Sequence, residues 1–251
     1  MICICCDSFF EESPIEHIVP ESLGNVKYVL QSNVVCKTCN SNFSNWEREA
    51  LTNSHLGFIR IKNSIKTKKG KPSSLRIGNL SASGNQKFER DFIEFRGIEQ
   101  QNMTGNKPID GAIEIKFNDF DKSEMSTSKM LLKIGFEAIY KSQTKLFSRL
   151  DFTELKKHLT KKANADWPFL TSHNQYYDYK SIPTFNDKYQ LNRIKCKLSY
   201  SEISKNALLF DMKYDYWHLT INLLNRDYSW VQVYFINDSS SSLYPKYLKR
   251  G

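Results

Sequence analysis

The sequence predicts an α+β fold: a small cysteine-bearing unit at the N-terminus, followed by a larger mixed α+β region. Three observations lead there. Two C-x-x-C pairs, Cys3 with Cys6 and Cys36 with Cys39, flank an extended–turn–extended run that leads into a helical pattern. Apolar residues recur at helical spacing in residues 126–143 and 151–164, whereas strand-like runs rich in aromatics return after residue 186. The chain has 251 residues, 40% of them apolar and 13% aromatic, which suits one large packed domain or two smaller ones. The expected division is a module over residues 1–65, a linker over 66–74 and an α+β region over 75–251.

In chain order, "CICC" forms a knuckle, and "PIEHIVP" is a short extended run ended by proline. "SLGN" is a turn, with Gly24 and Asn25 as residues that tolerate positive φ. "KYVLQSNVV" suits a second strand. From Lys37 to about Asn53 the pattern is helical, with Phe43, Trp46, Ala50 and Leu51 on one side, and "LGFIRIKNSI" continues as a second helix. "KTKKGKPSS" reads as a loop or linker. Strands are expected at "SLRIGNL", "KFERDFIEFRG" and "AIEIKFND". Helices follow at 126–143, capped by Ser126, Thr127 or Ser128, and at 151–164, capped by Asp151. The tail reads as strands at "KYQLNRIKCKLSY", "NALLFDMKYDYWHLTINLL" and "YSWVQVYFIN", with the serines near residue 240 as a turn or loop.

No apolar stretch is long enough to cross a bilayer, and the N-terminus has neither a basic leader nor a cleavage-like site. A cytoplasmic, reducing setting is therefore expected, in which paired cysteines are better read as metal ligands than as disulfides. Two C-x-x-C turns can close a tetrahedral structural zinc site. The 29 residues between the pairs exceed an ordinary zinc ribbon, so the insert is a structural unit of its own. Cys5 competes with its neighbours as a ligand. The net charge of +9 is uneven: residues 1–60 carry −3, residues 61–90 carry +7 and the rest +5. The basic run, with Lys66, Lys68, Lys69 and Lys71, is a candidate nucleic-acid contact through counterion release. Its bland alternative is a solvated lysine-rich loop.

The insert carries "EHIVP", and the second pair runs into asparagine in "CKTCNSNFSNWE". An acid–histidine pair, an asparagine ahead of the second cysteine pair and C-x-x-C-N together resemble the HNH endonuclease family, in its zinc-bearing subgroup. The resemblance covers about residues 3–52, and it rests on order, spacing and residue type together. It implies a ββα-metal, treble-clef-like unit of two strands and a helix around one catalytic ion. It further implies His17 as the general base, Glu16 and Asn40 as ligands of a catalytic Mg²⁺ or Mn²⁺, and Asn33 as the prop of the histidine loop. Cys3, Cys6, Cys36 and Cys39 would hold structural Zn²⁺. The chemistry is self-consistent, since a neutral imidazole accepts a proton near neutral pH and hard oxygens suit magnesium while thiolates suit zinc. Several positions depart from the family pattern: Glu16 replaces the commoner aspartate, Ser44 a glycine, Phe43 a lysine and Asn25 the second turn glycine.

Several residues read as structural. Phe43 and Trp46 suit a core, Glu47 a solvated helix face, His55 a packing role and Cys196 a small buried hydrophobe, while His158, His173 and His218 have no identifiable partners. The function implied by the resemblance is metal-dependent cleavage of DNA, with RNA left open, in restriction or anti-phage defence. Residues 75–251 would select substrate, form a homodimer or meet a defence-system partner. The alternatives are a zinc-braced nucleic-acid-binding module without chemistry and a nuclease subunit gated by a partner. The chain has no P-loop, so a nucleotide-driven step would need another protein.

Overall fold

The computed structural model describes residues 1–52, 54–67, 69–77, 80–88, 91–97, 120, 123–160, 166–173, 196–234 and 241–248. The N-terminal elements are β1 (Glu16–His17), β2 (Val29–Leu30), α1 (Lys37–Thr52) and α2 (His55–Lys62). β1 and β2 pair antiparallel, Glu16 against Leu30 and His17 against Val29. A tight turn follows α2. Lys66 and Pro72 form a bridge, Thr67 Oγ1 accepts the Lys71 N–H at 3.1 Å, and Gly70 takes φ +70° where a side chain would be strained. β3 (Ser74–Ile77), β4 (Leu80–Gly84) and β5 (Ile93–Arg96) form an antiparallel meander.

The remaining elements are α3 (Glu124–Ser142), α4 (Thr144–Arg149), α5 (Thr153–Thr160), β6 (Phe169–His173), β7 (Cys196–Ser204), β8 (Ala207–Tyr214), β9 (Trp217–Asn222), α6 (Trp230–Tyr234) and β10 (Ser241–Tyr244). The last five strands make one antiparallel sheet in the order β10-β6-β9-β8-β7. α3 is the spine of the molecule. One side packs on α1, the other on β8 and β9, and every residue from Ser126 to Ile139 is buried. The approach to the sheet is close: a Cβ on Gly135 would lie 2.8 Å from Leu223 Cδ2 and from Phe210 Cγ, so glycine is required there. One hydrophobic core consequently runs from Cys3, Ile18, Leu30 and Phe43 through Leu131 and Ile134 to Phe210 and Leu219.

The helical periods from Lys37 and from Leu56 give α1 and α2, although Asn53 lies outside the described residues. Ser54 links the two helices by donating to Ala50 O at 2.5 Å and accepting the Leu56 N–H at 3.2 Å. The other long helix starts earlier than its serines suggest. Ser123 precedes it, and Ser126, Thr127 and Ser128 are buried inside it, because α3 is covered on both faces. Asp151 accepts the Thr153 N–H at 2.8 Å from one residue ahead of the N-cap, which is Phe152, whose carbonyl accepts the Lys156 N–H. "AIEIKFND" lies outside the described residues, as do Ser239 and Ser240.

Three segments differ from the sequence expectation. "YSWVQVYFIN" begins with a helix, not a strand. Asp227 accepts the Ser229 N–H at 3.0 Å and starts a turn that sets Trp230 and Val231 together against Leu170, Leu209 and Leu243. Ser241 and Ser242 belong to the edge strand β10, paired with Ser172 and Thr171, where an outer strand has no packing layer beyond it. β6, "FLTSH", has too few residues to stand out by alternation and was not expected. Among the described residues, no helix is long and apolar enough to cross a membrane.

Candidate active site and metal centre

The first cysteine knuckle is a turn in which the Asp7 N–H returns to Cys3 O at 3.0 Å, and Ile4 N–H reaches across to Val34 O at 3.2 Å. That contact brings the N-terminus against the start of α1. Cys3, Cys6, Cys36 and Cys39 place their sulfurs within 4.8 Å of one another. Four thiolates about 2.3 Å from a tetrahedral zinc stand about 3.8 Å apart. The Cys6 and Cys36 sulfurs are 3.8 Å apart, so the tetrad is positioned to hold a metal ion and its spacing suits zinc.

Backbone N–H groups support the sulfurs. Cys36 N donates to Cys3 Sγ at 3.3 Å, and Cys39 N to Cys36 Sγ at 3.5 Å. The second bond lies at the N-terminus of α1, whose dipole favours an anion. Hydrogen bonding from Cys39 and Cys5 holds the Cys3 thiol well below its usual range, whereas the same bond to Cys3 pushes Cys39 up. Cys5 is fully buried and stands outside the tetrad, with the Cys3 bond and burial raising its pKa.

Glu16 and His17 are successive strand residues and so point to opposite faces. Glu16 is 5% exposed and faces the helices. Lys133 of α3 meets it there, with Nζ 2.7 Å from Glu16 Oε1, 3.0 Å from Glu47 Oε1 and 3.3 Å from Glu137 Oε2. The same ammonium donates to the main-chain oxygens of His17 at 2.5 Å and Ile18 at 3.3 Å. Burial alone would lower the Lys133 pKa, but the carboxylates of Glu137, Glu47 and Glu16 raise it above the usual lysine value. Burial pushes the Glu137 carboxyl well up, more than Lys133 can offset. Glu47 is therefore no solvated face residue, because α3 lies against α1 and supplies its counterion.

The His17 ring is half-buried, and neither it nor the half-buried Asn40 amide is engaged by another side chain or main-chain group among the described residues. Glu16 Oε2 is buried without a hydrogen-bond partner. The orphaned carboxylate oxygen and the uncommitted amide are hard donors with spare lone pairs, which suits a divalent cation such as Mg²⁺. Lys133 already neutralises the other oxygen of Glu16.

Asn33 has φ 73°; its side chain accepts the Ser13 N–H at 3.1 Å, and its own N–H donates to Ser13 Oγ at 2.8 Å. It ties the segment before β1 to the segment after β2. The stronger brace is Asn25, which the sequence places in a turn. Gly24, at φ 87°, makes the left-handed turn. Asn25 is fully buried, donating to Val19 O at 2.6 Å and Tyr28 O at 2.8 Å and accepting from Lys27 N and Tyr28 N. Its place one residue after the turn glycine, between two short strands, was the available signal.

The basic run divides. Lys69 and Lys71 line an open groove of about 590 Å³ beside α1, together with Arg48, Arg60 and Glu47. Lys66 instead lies over the Phe88 ring, 4.4 Å from its centroid, and Lys68 is outside the described residues. Elsewhere, Phe43 and Cys196 are buried as expected, and Trp46 packs against Phe43 at a tilt of 41° and carries Lys129 Nζ at 4.4 Å over its ring. His218 has a partner after all, Asp211 at 2.8 Å on the neighbouring strand.

Comparison with known families agrees with this unit. A family model described as HNH endonuclease matches residues 3–56, which hold the four cysteines, β1, β2 and all of α1. No curated protein and no solved structure matches the chain.

Proposed function

We propose that the segment matching the HNH endonucleases makes this protein a metal-dependent nuclease that hydrolyses DNA phosphodiester bonds. The observation that carries the reading is the family match over residues that include two side chains left uncommitted by the fold, His17 and Asn40. Side chains tied into a fold are held by it, and these are left available to a substrate.

His17 acts as general base. Its unprotonated ring nitrogen takes a proton from the attacking water as the water oxygen bonds to phosphorus. The bond from phosphorus to the 3′-oxygen breaks, the departing oxygen takes a proton from solvent water, and the ends are a 3′-hydroxyl and a 5′-phosphate. Glu16 Oε2 and the Asn40 amide oxygen would hold a Mg²⁺ or Mn²⁺ ion, which when bound supplies charge stabilisation to the phosphate oxygens. Lys133 fixes the main chain at His17 and Ile18 and so sets the direction of the imidazole. Asn25 and Asn33 hold the segments on either side of the histidine. Zinc on the cysteine tetrad joins the N-terminus to the start of α1 and adds to folding stability.

In this reading residues 1–65 are the nuclease module and residues 75–251 recognise substrate, form a homodimer or meet a partner in a defence system, in the cytoplasm. The test is conversion of supercoiled plasmid in Mg²⁺ or Mn²⁺. The native protein should nick or linearise it, and His17→Ala should not. Equal cleavage by both would remove His17 as the base. No cleavage by the native protein would favour the alternative of a zinc-braced binding module or a partner-gated subunit.

A further inference from the structure

We propose that the groove between α1, α2 and the 66–72 turn binds the phosphodiester backbone of duplex DNA, with the guanidinium of Arg60 at its base. The inference rests on the nuclease reading above and assigns the surface that would hold its substrate.

Arg60 is the unusual residue. It is only 7% exposed, yet no carboxylate pairs with it among the described residues. Nε donates to Ser22 O at 2.7 Å and Nη1 to Leu51 O at 3.4 Å. Nη2 makes no bond among the described residues, and the side chain lines the groove. A charge removed from water without a counterion is costly, and burial pulls its pKa below the usual arginine value. An anion in the groove would offset that penalty and use the free edge of the guanidinium.

The rest of the lining suits the same ligand. Arg48, Lys69 and Lys71 are exposed around the rim. Glu47 is the acidic member of the lining, and its Oε1 is paired with Lys133 at 3.0 Å. Ser44 adds a hydroxyl one turn along α1 from Asn40, so the groove and that residue share a helix. Thr67 and Lys71 bond each other, which fixes the main chain at Lys71.

The test is binding of a short fluorescein-labelled duplex, followed by anisotropy on a His17→Ala background without divalent metal. Arg48→Gln/Lys69→Gln/Lys71→Gln is compared with Lys145→Gln/Lys197→Gln/Lys205→Gln, a set of exposed charges outside the groove. Loss of three phosphate contacts should reduce the salt slope by about 2.7. Between about 50 and 200 mM salt, the parent should then lose about 40-fold more affinity than the groove variant. The control set should keep the parental slope. Arg60→Gln should weaken binding further, but the exposed triple carries the test if that variant fails to fold.

An equal effect of both triples, no effect of the groove triple, or no binding by the parent would overturn the proposal. The two readings fail separately. A native protein that cuts plasmid while its groove triple binds and cuts normally loses the groove alone. One that never cuts, yet binds duplex through the groove, loses the nuclease alone.

Discussion

Replacing Lys133 with methionine should destabilise the protein more than replacing any exposed lysine. The side chain is 1% exposed, and its three acidic neighbours are 7%, 16% and 0% exposed at Glu16, Glu47 and Glu137. Methionine fills a similar volume, so the change leaves charge uncompensated rather than opening a cavity. Breaking a buried ion pair by removing one partner costs about 3–5 kcal/mol. The main-chain oxygens of His17 and Ile18 lose their donor as well. For a chain of this size each kcal/mol moves the melting temperature by about 2–4 °C, so a fall of about 6–20 °C is expected by calorimetry. Lys133→Met/Glu16→Gln should recover part of the loss, with a coupling of about 0.5–3 kcal/mol, because an amide needs no counterion. A Lys133→Met protein that melts within a degree of the native one would refute the reasoning, since an ammonium serving three acids and two carbonyls cannot be dispensable.

Three further outcomes follow from the same structure. Purified protein should carry one zinc per chain by elemental analysis. Cys36→Ser should lose it and Cys5→Ala should keep it, because Cys5 lies outside the tetrad. Asn25→Ala should lower stability by about 2–4 kcal/mol in urea unfolding, since it leaves the main chain of a buried loop without its partners at Val19 O and Tyr28 O. His158 is fully buried with neither ring nitrogen hydrogen-bonded among the described residues, and burial, with Lys129 and Arg226 nearby, lowers its pKa from 6.5 to about 4. The unfolded chain therefore binds this proton first. Stability is full above pH 6.5 and falls as the pH drops toward 4, by about 3 kcal/mol for this group, and His158→Gln should flatten that slope in urea titrations.

The cysteine tetrad and the helix that follows it were legible in the sequence because their signals are local. A C-x-x-C turn fixes two ligands within four residues, and the spacing of Phe43, Ala50 and Leu51 marks the buried side of α1. The surroundings of Glu16 were not legible. Its counterion lies 117 residues away in sequence, on a helix whose Lys129, Lys133 and Glu137 look like an exposed stripe until a sheet and α1 cover both faces. Arg60 was hidden in the same way, as an ordinary basic residue near the end of α2 whose burial depends on Ser22 and Leu51. Short strands escaped for a different reason. β6 and β10 are defined by pairing with each other and, for β6, with β9, and four or five residues carry little periodicity of their own.

The most direct test of the central claim is the single-turnover rate of cleavage of a labelled duplex by the native protein and by His17→Ala in Mg²⁺, with the product ends determined. The half-buried ring has no partner among the described residues, so its removal should leave the melting temperature unchanged. The rate should fall by about 10²–10⁴, the usual contribution of a general base, and the native products should carry 5′-phosphates and 3′-hydroxyls. Cleavage by His17→Ala at the native rate would contradict it.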